Sequence, residues 1–180
     1  VQATSGGALY RKTTFLNDSL GKRVMARHLD IVEDPHVVNG KGSAPLSGVG
    51  TVYSLLAEGL DPSAWVIALG TNDVGQYADP EEYGRLIDSV IAMLPIDAPL
   101  VWVDVYRPEY LEESRAFNEI LNGRIETRGN AAVASWFALA SSNGEAILQS
   151  DQIHPNDEGV VAFANLVYSG MQDAAEEIAG

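Results

Sequence analysis

The chain has 180 residues, of which 46% are hydrophobic and 20% charged, a composition typical of one folded domain. We expect a single domain over residues 1–180, with residues 1–9 as a loosely held lead-in. The net charge is −14, and residues 61–180 hold five Lys and Arg against twenty Asp and Glu. An acidic surface repels phosphate backbones and anionic headgroups, which argues against nucleic acid and membrane surfaces as partners.

Two further features narrow the class of protein. The sequence contains no cysteine, which excludes disulfides, thiolate metal sites and cysteine catalysis and leaves the cellular compartment open. The longest apolar stretches, such as Ala64–Leu69, are far shorter than the ~20 residues of a transmembrane helix, so we expect no membrane span. A neutral substrate such as an ester or a sugar suits the charge of the chain.

Apolar strands and amphipathic helices alternate along the sequence. The predicted strands are Tyr10–Leu16, Ile31–Val38, Ala64–Leu69, Leu100–Val105 and Ala131–Phe137. The predicted helices are Leu20–His28, Val49–Gly59, Pro80–Leu94, Leu111–Arg128 and Asn156–Ala175. This alternation is typical of right-handed βαβ units with a parallel sheet. We therefore predict an α/β fold, a flavodoxin-like three-layer α/β/α sandwich whose five parallel strands follow the order 2-1-3-4-5.

An acid and a histidine stand three positions apart in the sequence Asp151-Gln152-Ile153-His154. On one turn, the carboxylate can hold one ring nitrogen while the other nitrogen accepts a proton from a nucleophile. We take Ser19, far away in sequence, as that nucleophile. The same spacing also occurs in loops that merely cap a following helix, so the pair alone leaves both interpretations open.

Polar and glycine residues follow the predicted strands at the points where those strands end. Ser19 follows the first strand, the Gly42 loop the second and Asn72 the third. Asp151 and His154 come after the fifth strand. Ligands of doubly wound sheets bind at the carboxyl ends of the strands, so the fold predicts that these segments meet in one crevice.

Four short blocks in this order resemble those of the SGNH hydrolases, the GDSL esterase and lipase superfamily. They are Asn17-Asp18-Ser19-Leu20, Gly42, Gly70-Thr71-Asn72-Asp73 and Asp151-Gln152-Ile153-His154. The first block departs from the family pattern because Asn17 replaces the usual glycine. Asparagine is the non-glycine residue that best tolerates positive φ, which makes the change a mild one.

The resemblance implies a role for each matched residue. Ser19 is the expected nucleophile, His154 the base and Asp151 the residue that orients the base. The expected oxyanion donors are the backbone N–H groups of Ser19 and Gly42 and the side-chain amide of Asn72. No metal or cofactor is implied. Arg107, after the fourth strand, either lines the substrate pocket or forms a salt bridge with a nearby acid.

The expected function is therefore that of a serine esterase acting on a small acyl ester or an acylated glycan. Short stretches are similar to peptidoglycan O-acetyltransferase domains and bacterial carbohydrate esterases, which favours O-acetyl groups as substrates. These stretches are Val101–Pro108, Asn118 with Leu121, and Ser135-Trp136-Phe137. The alternatives are an O-acyltransferase and an inactive module that binds a glycan or a partner. A nucleotide- or flavin-binding module is disfavoured because no complete phosphate-binding fingerprint is present.

Overall fold

A computed structural model describes residues 13–17, 36–39, 45–59 and 64–179 of the chain. In these ranges, five strands are found: β1 (Thr13–Asn17), β2 (His36–Asn39), β3 (Ala64–Ala68), β4 (Leu100–Val103) and β5 (Ala131–Ala134). The same ranges hold the helices α1 (Pro45–Ala57), α2 (Glu81–Ile91), α3 (Leu111–Arg128), α4 (Trp136–Asn143) and α5 (Asp157–Ala179). Short 3₁₀ helices occupy Pro108–Tyr110 and Gly144–Ala146.

The strands form one parallel sheet in the order β2-β1-β3-β4-β5. The last residue of β1, Asn17, lies opposite Asn39 of β2 and Ala68 of β3, so the three strands end at the same level. The predicted α/β fold with a parallel sheet is confirmed. Since parallel strands carry their ligands at this edge, the register fixes where the site is to be sought.

The core lies on both faces of the sheet because successive side chains of a strand point in opposite directions. From β3, Ala64, Val66 and Ala68 pack in a cluster with residues of α4 and α5. Trp65 and Ile67, which alternate with them, pack in the cluster that includes α2 and α3. The continuous apolar run of β3 therefore reflects a strand that is covered by helices on both sides.

Most helix boundaries lie close to the prediction, and those of α3 agree with it. Helix α1 begins earlier than expected, at Pro45. Proline suits the first turn of a helix because N–H groups in that turn have no acceptor within the helix, so the N–H that proline lacks is not needed. Helix α5 is capped by Asn156, whose Oδ1 accepts a hydrogen bond from the N–H of Gly159 at 2.9 Å. Asparagine is one of the residues most favoured at this position.

The predicted fifth strand, Ala131–Phe137, is wrong at its carboxyl end. Strand β5 stops at Ala134, and Trp136 and Phe137 begin helix α4 instead. The buried carboxylate of Asp104 accepts a hydrogen bond from the N–H of Phe137 at 2.6 Å and so caps this helix from the end of β4. The apolar pattern could not reveal this cap because the acid lies more than thirty positions away.

Other predictions fall on residues that the structure does not describe. The helix predicted over Leu20–His28 and the lead-in of residues 1–9 both lie outside the described residues. None of the helices in the described ranges is long and apolar enough to cross a membrane.

Asp104 makes stability depend on pH. Burial raises the pKa of its carboxyl from 3.8 to about 7, although the N–H groups of Phe137 and Trp136 oppose this by favouring the charged form. The folded state therefore binds the proton more tightly than the unfolded chain. The free energy of unfolding should fall as the pH rises from about 4 to about 7.

We expect Asp104→Asn to remove this dependence, since the amide keeps an oxygen acceptor for the cap and carries no charge. The free energy of unfolding of the variant minus that of the wild type should increase by roughly 3 kcal/mol between about pH 4.5 and pH 8. Denaturant titration at each pH measures this difference. Asp173→Asn, at an exposed position of α5, controls for the loss of one negative charge. An equal effect of Asp104→Asn at both pH values would contradict the buried-charge account.

Candidate active site

Asp151 and His154 form an ordered pair in the loop before α5. Asp151 Oδ2 lies 2.8 Å from His154 Nδ1. Its other oxygen, Oδ1, accepts hydrogen bonds from the backbone N–H groups of Ile153 at 2.9 Å and His154 at 3.0 Å. The carboxylate thus closes a short turn and holds the imidazole ring at once. An acceptor at Nδ1 favours the tautomer with its lone pair on Nε2, the atom that a general base would use.

Asp151 keeps its charge although burial opposes it. Burial raises the pKa of the carboxyl, but the N–H groups of His154 and Ile153 and the ring of His154 lower the pKa by more, to about 2. The carboxylate is therefore ionised at every pH at which the protein would work. Its side chain is 46% exposed, so water screens part of its attraction for a cation. Such a group can stabilise an imidazolium that forms beside it.

Backbone hydrogen bonds close the loop that carries the pair. Leu148 and Pro155 form an antiparallel bridge at its base. The N–H of Gln149 donates to the carbonyl oxygen of His154 at 2.7 Å, and its side-chain amide donates to that of Pro155 at 2.9 Å. Gln152 has a φ of 59°, the left-handed conformation that lets the chain reverse between Asp151 and His154. The two side chains are therefore presented by a short, closed loop.

Asn156 joins this loop to the terminal helix. Its Nδ2 donates to the carbonyl oxygens of Ala146 at 3.0 Å and Leu148 at 3.2 Å, while its Oδ1 caps α5. Gly159, which donates to that cap, lies so close to Ile147 that a Cβ would overlap the Ile147 carbonyl oxygen. One amide side chain and one glycine thus fix the loop against the helix.

The turn that carries Asn72 follows β3 directly. Gly70 begins it with a φ of 126°, and a Cβ there would overlap the ring of Phe117, so the position requires glycine. The Gly70 carbonyl oxygen accepts hydrogen bonds from the N–H groups of Asp73 at 2.9 Å and Val74 at 3.2 Å. Asn72 lies at the tip of the turn and is exposed, as a residue that contacts a substrate must be.

The carbonyl groups on either side of Gly70 are also held by side chains. The indole N–H of Trp102 donates to the Leu69 carbonyl oxygen at 3.0 Å. Arg107 Nη1 donates to the Thr71 carbonyl oxygen, also at 3.0 Å. The backbone before Asn72 is therefore fixed by bonds from β4 and from the segment that follows it.

Arg107 makes two more contacts within the protein. Its Nε lies 3.5 Å from Glu109 Oε2, and its guanidinium group lies 5.3 Å from the centre of the Tyr110 ring. The salt bridge that the sequence offered as an alternative role for Arg107 is therefore present. A contact between Arg107 and a substrate stays a prediction.

Ser19 and Gly42 lie outside the described residues, so their roles stay predictions. The strands before them are described, and they end in register: Asn17 lies opposite both Asn39 and Ala68. Ser19 follows Asn17 by two positions, and Gly42 follows Asn39 by three. Strands β1 and β2 therefore end at the edge of the sheet where the Asn72 turn begins.

Sequence reasoning missed Asp104, the buried acid at the end of β4. Together with Thr71, Trp136 and Phe163 it lines a small pocket between the Asn72 turn and helices α4 and α5. An acid at the end of an apolar strand can indicate a residue that lines a pocket at this edge of the sheet. The partners of Asp104 could not be predicted from the sequence. Across the described ranges, no group of three or more His, Asp or Glu side chains could hold a metal ion.

Asn156 provides a test of how the loop is held. We expect Asn156→Ala to lower the free energy of unfolding by about 2–4 kcal/mol, since it removes a helix cap and two hydrogen bonds to the loop. Asn156→Asp keeps the cap but loses both donors. Its free energy of unfolding should therefore lie between those of the alanine variant and the wild type. Denaturant titration of the three proteins checks this order. Equal losses in both variants would mean that the cap contributes nothing, and an aspartate variant as stable as the wild type would mean that the bonds to Ala146 and Leu148 contribute nothing.

Comparison with curated proteins gives short similarities to the metalloprotease PmbA and to a homolog of it from Haemophilus influenzae. A segment of 50 residues is 48% identical to the metalloprotease PmbA of Escherichia coli O157:H7. The segment is 28% of this chain, and the chain spans only 11% of the length of that protein. A similarity over so small a share of both proteins does not show that they have the same activity.

Solved structures resemble the chain over nearly its whole length. The C-terminal catalytic domain of Streptococcus pneumoniae peptidoglycan O-acetyltransferase A, solved with a methylsulfonyl adduct, gives a TM-score of 0.79 at 18% identity, with 93% of this chain and 96% of that chain covered. The Clostridium thermocellum family 3 carbohydrate esterase gives 0.63 at 15% identity, with 94% and 99% covered. At these identities the likeness concerns the fold.

The sequence itself matches the GDSL-like Lipase/Acylhydrolase family over residues 4–162, which is most of the chain. The match includes all four blocks and the strands that lead into them. The chain therefore belongs to the GDSL-like lipase/acylhydrolase family, the SGNH hydrolases that its four blocks resemble.

Proposed function

We propose that the chain is a serine esterase that hydrolyses short-chain acyl esters, above all O-acetyl esters on a carbohydrate or on peptidoglycan. The observation that carries the proposal is the Asp151–His154 pair. An ionised carboxylate, fixed by two N–H donors, holds Nδ1 of an imidazole at 2.8 Å. This is the base half of a Ser-His-Asp triad, with Ser19 as the nucleophile.

In the proposed reaction Ser19 Oγ attacks the ester carbonyl carbon while His154 Nε2 takes its proton. The alcohol leaves with that proton, and the acyl group stays bonded to Oγ. A water molecule then loses a proton to the same nitrogen and attacks the acyl carbon. As the bond from this carbon to Oγ breaks, His154 returns the proton to Oγ, and the acid and Ser19 are released. Asp151 stabilises the imidazolium in both steps, which its pKa of about 2 allows at neutral pH.

The oxyanion of each tetrahedral intermediate needs donors that are already in place. We assign this role to the backbone N–H groups of Ser19 and Gly42 and to the side-chain amide of Asn72. The exposed position of Asn72 on a turn whose carbonyl groups are tied down supports the assignment. An amide donates without carrying a charge, which suits a neutral ester.

The substrate class rests on charge and on the comparisons. A net charge of −14 disfavours anionic ligands and is compatible with a neutral acylated sugar. Two of the structural neighbours are named as a peptidoglycan O-acetyltransferase and a carbohydrate esterase. Both names concern carbohydrate or glycan chemistry, which supports O-acetyl groups as the acyl substrates.

Acyl transfer to a second alcohol is the other candidate, favoured by the TM-score of 0.79 to the O-acetyltransferase domain. The two reactions share the acyl-enzyme and differ in whether water or a sugar hydroxyl attacks it. With an acetyl ester as donor and a chitooligosaccharide as acceptor, transfer would appear as acetylated oligosaccharide by mass spectrometry. Release of acetate alone would support hydrolysis.

Labelling with a fluorophosphonate tests the nucleophile directly. We expect the reagent to modify one residue, Ser19, as identified by mapping the labelled peptide. Ser19→Ala should lower kcat for p-nitrophenyl acetate by at least about a thousandfold. Ser141→Ala, at an exposed serine of α4, is the matched control and should keep full activity. Labelling at another serine, or turnover that survives Ser19→Ala, would remove Ser19 from the site.

Replacing the orienting acid gives an independent test. In Asp151→Asn one amide oxygen can still accept from the two backbone N–H groups, but the amide nitrogen cannot accept from His154 Nδ1. The tautomer should then be wrong, and we expect kcat to fall by about a thousandfold or more while the fold is retained. Steady-state kinetics and circular dichroism measure the two effects. A loss below tenfold would contradict a triad role for Asp151.

A further inference from the structure

Arg107 holds the peptide group that carries Asn72. Its Nη1 donates to the Thr71 carbonyl oxygen at 3.0 Å, and this carbonyl belongs to the same planar unit as the N and Cα atoms of Asn72. A bond to the oxygen therefore fixes the orientation of the plane from which the Asn72 side chain departs. The donor is charged, which makes this hydrogen bond stronger than one between neutral groups.

The surroundings of Arg107 keep its side chain directed at the turn. Glu109 lies 3.5 Å from Nε, and the Tyr110 ring lies under the guanidinium group. Tyr110 also packs against the end of the turn, because a Cβ on Gly75 would overlap its ring. Arg107 and Tyr110 together therefore brace the turn from the segment that follows β4.

The same contacts argue against Arg107 as a ligand for an anionic group. Glu109 lies 3.5 Å from Nε, Thr71 accepts a hydrogen bond from Nη1, the Tyr110 ring packs against the guanidinium group, and the side chain is only 24% exposed. In an acidic protein a cation that bound substrate would be expected to present its donors to solvent. The Nη1 donor of Arg107 bonds instead to the backbone before Asn72.

We infer that Arg107 is a positioning residue, which acts on ester hydrolysis only through the Asn72 turn. This inference rests on the proposed function, in which the Asn72 amide stabilises the oxyanion. Removal of an oxyanion donor lowers kcat by about 10² to 10³, and a donor displaced by about 1 Å loses a large part of its effect. The effect should appear in kcat, because the oxyanion is absent from the bound ester and develops only in the transition state and the tetrahedral intermediate.

The kinetic test uses Arg107→Met, which keeps an unbranched stem in place of the arginine and removes its donors and charge. We expect kcat for p-nitrophenyl acetate to fall about 10- to 100-fold with KM changed less than twofold. Arg107→Lys, which keeps the charge and carries its three N–H donors on a single nitrogen, should recover part of kcat. A rise in KM with unchanged kcat would overturn the inference and indicate substrate binding.

Arg128 offers a matched control. It too donates to backbone carbonyl groups, those of Pro95 and Ala98 among them, but these precede β4 at the opposite edge of the sheet. Arg128→Met should lower Tm at least as much as Arg107→Met while kcat stays within twofold. Equal losses of kcat in both variants would reduce the role of Arg107 to general stability.

A double-mutant cycle asks whether Arg107 acts through Asn72. We expect Asn72→Ala alone and Asn72→Ala combined with Arg107→Met to have the same kcat within about twofold, because the brace has nothing left to position. Multiplicative losses would overturn the inference.

Amide hydrogen exchange separates this inference from the proposed function. Loss of the brace should speed exchange of the Asp73 and Val74 N–H groups, which bond to Gly70, in Arg107→Met and not in Arg128→Met. If the wild-type protein hydrolyses no ester, the proposed function fails, and exchange alone decides whether Arg107 holds the turn. Unchanged exchange in Arg107→Met would overturn the inference in either case.

Discussion

The carboxylate of Asp151 is the constraint on which the rest of the site depends. One oxygen accepts hydrogen bonds from two backbone N–H groups, and the other contacts a ring nitrogen. A single carboxylate therefore both stabilises the turn and orients the imidazole. Because each of these bonds favours the charged form, the geometry of the loop and the charge that a triad needs have the same origin. The bonds that shape the loop therefore also keep the carboxylate ionised.

The second half of the site is organised by backbone carbonyl groups. Three successive carbonyl oxygens, those of Leu69, Gly70 and Thr71, accept hydrogen bonds at the end of β3. Their donors come from β4, from the turn itself and from the segment after β4. An exposed amide can keep one orientation only if its backbone is fixed, and here the sheet supplies that rigidity at the edge where ligands bind.

Residues close in sequence could be predicted, and contacts between distant residues could not. The continuous apolar run of β3 and the bounds of α3 follow from periodicity, and the Asp151–His154 contact follows from a spacing of three. The first two residues of helix α4 were predicted as strand because the acid that caps them, Asp104, follows a different strand. The bond from Arg107 to Thr71 spans 36 positions and was likewise invisible. Ser19 and Gly42 rest on the family pattern and on strands that end in register.

The acidity of the chain bears on the choice of oxyanion donor. A net charge of −14 opposes the growth of further negative charge, so an oxyanion must be stabilised locally. Within residues 64–179, Arg107 is the arginine that follows the carboxyl end of a strand, and it is paired with Glu109. Fixed dipoles therefore have to stabilise the oxyanion in place of a free cation. An amide on a braced turn meets this need, because dipoles held in place lose no energy to reorientation when charge develops beside them.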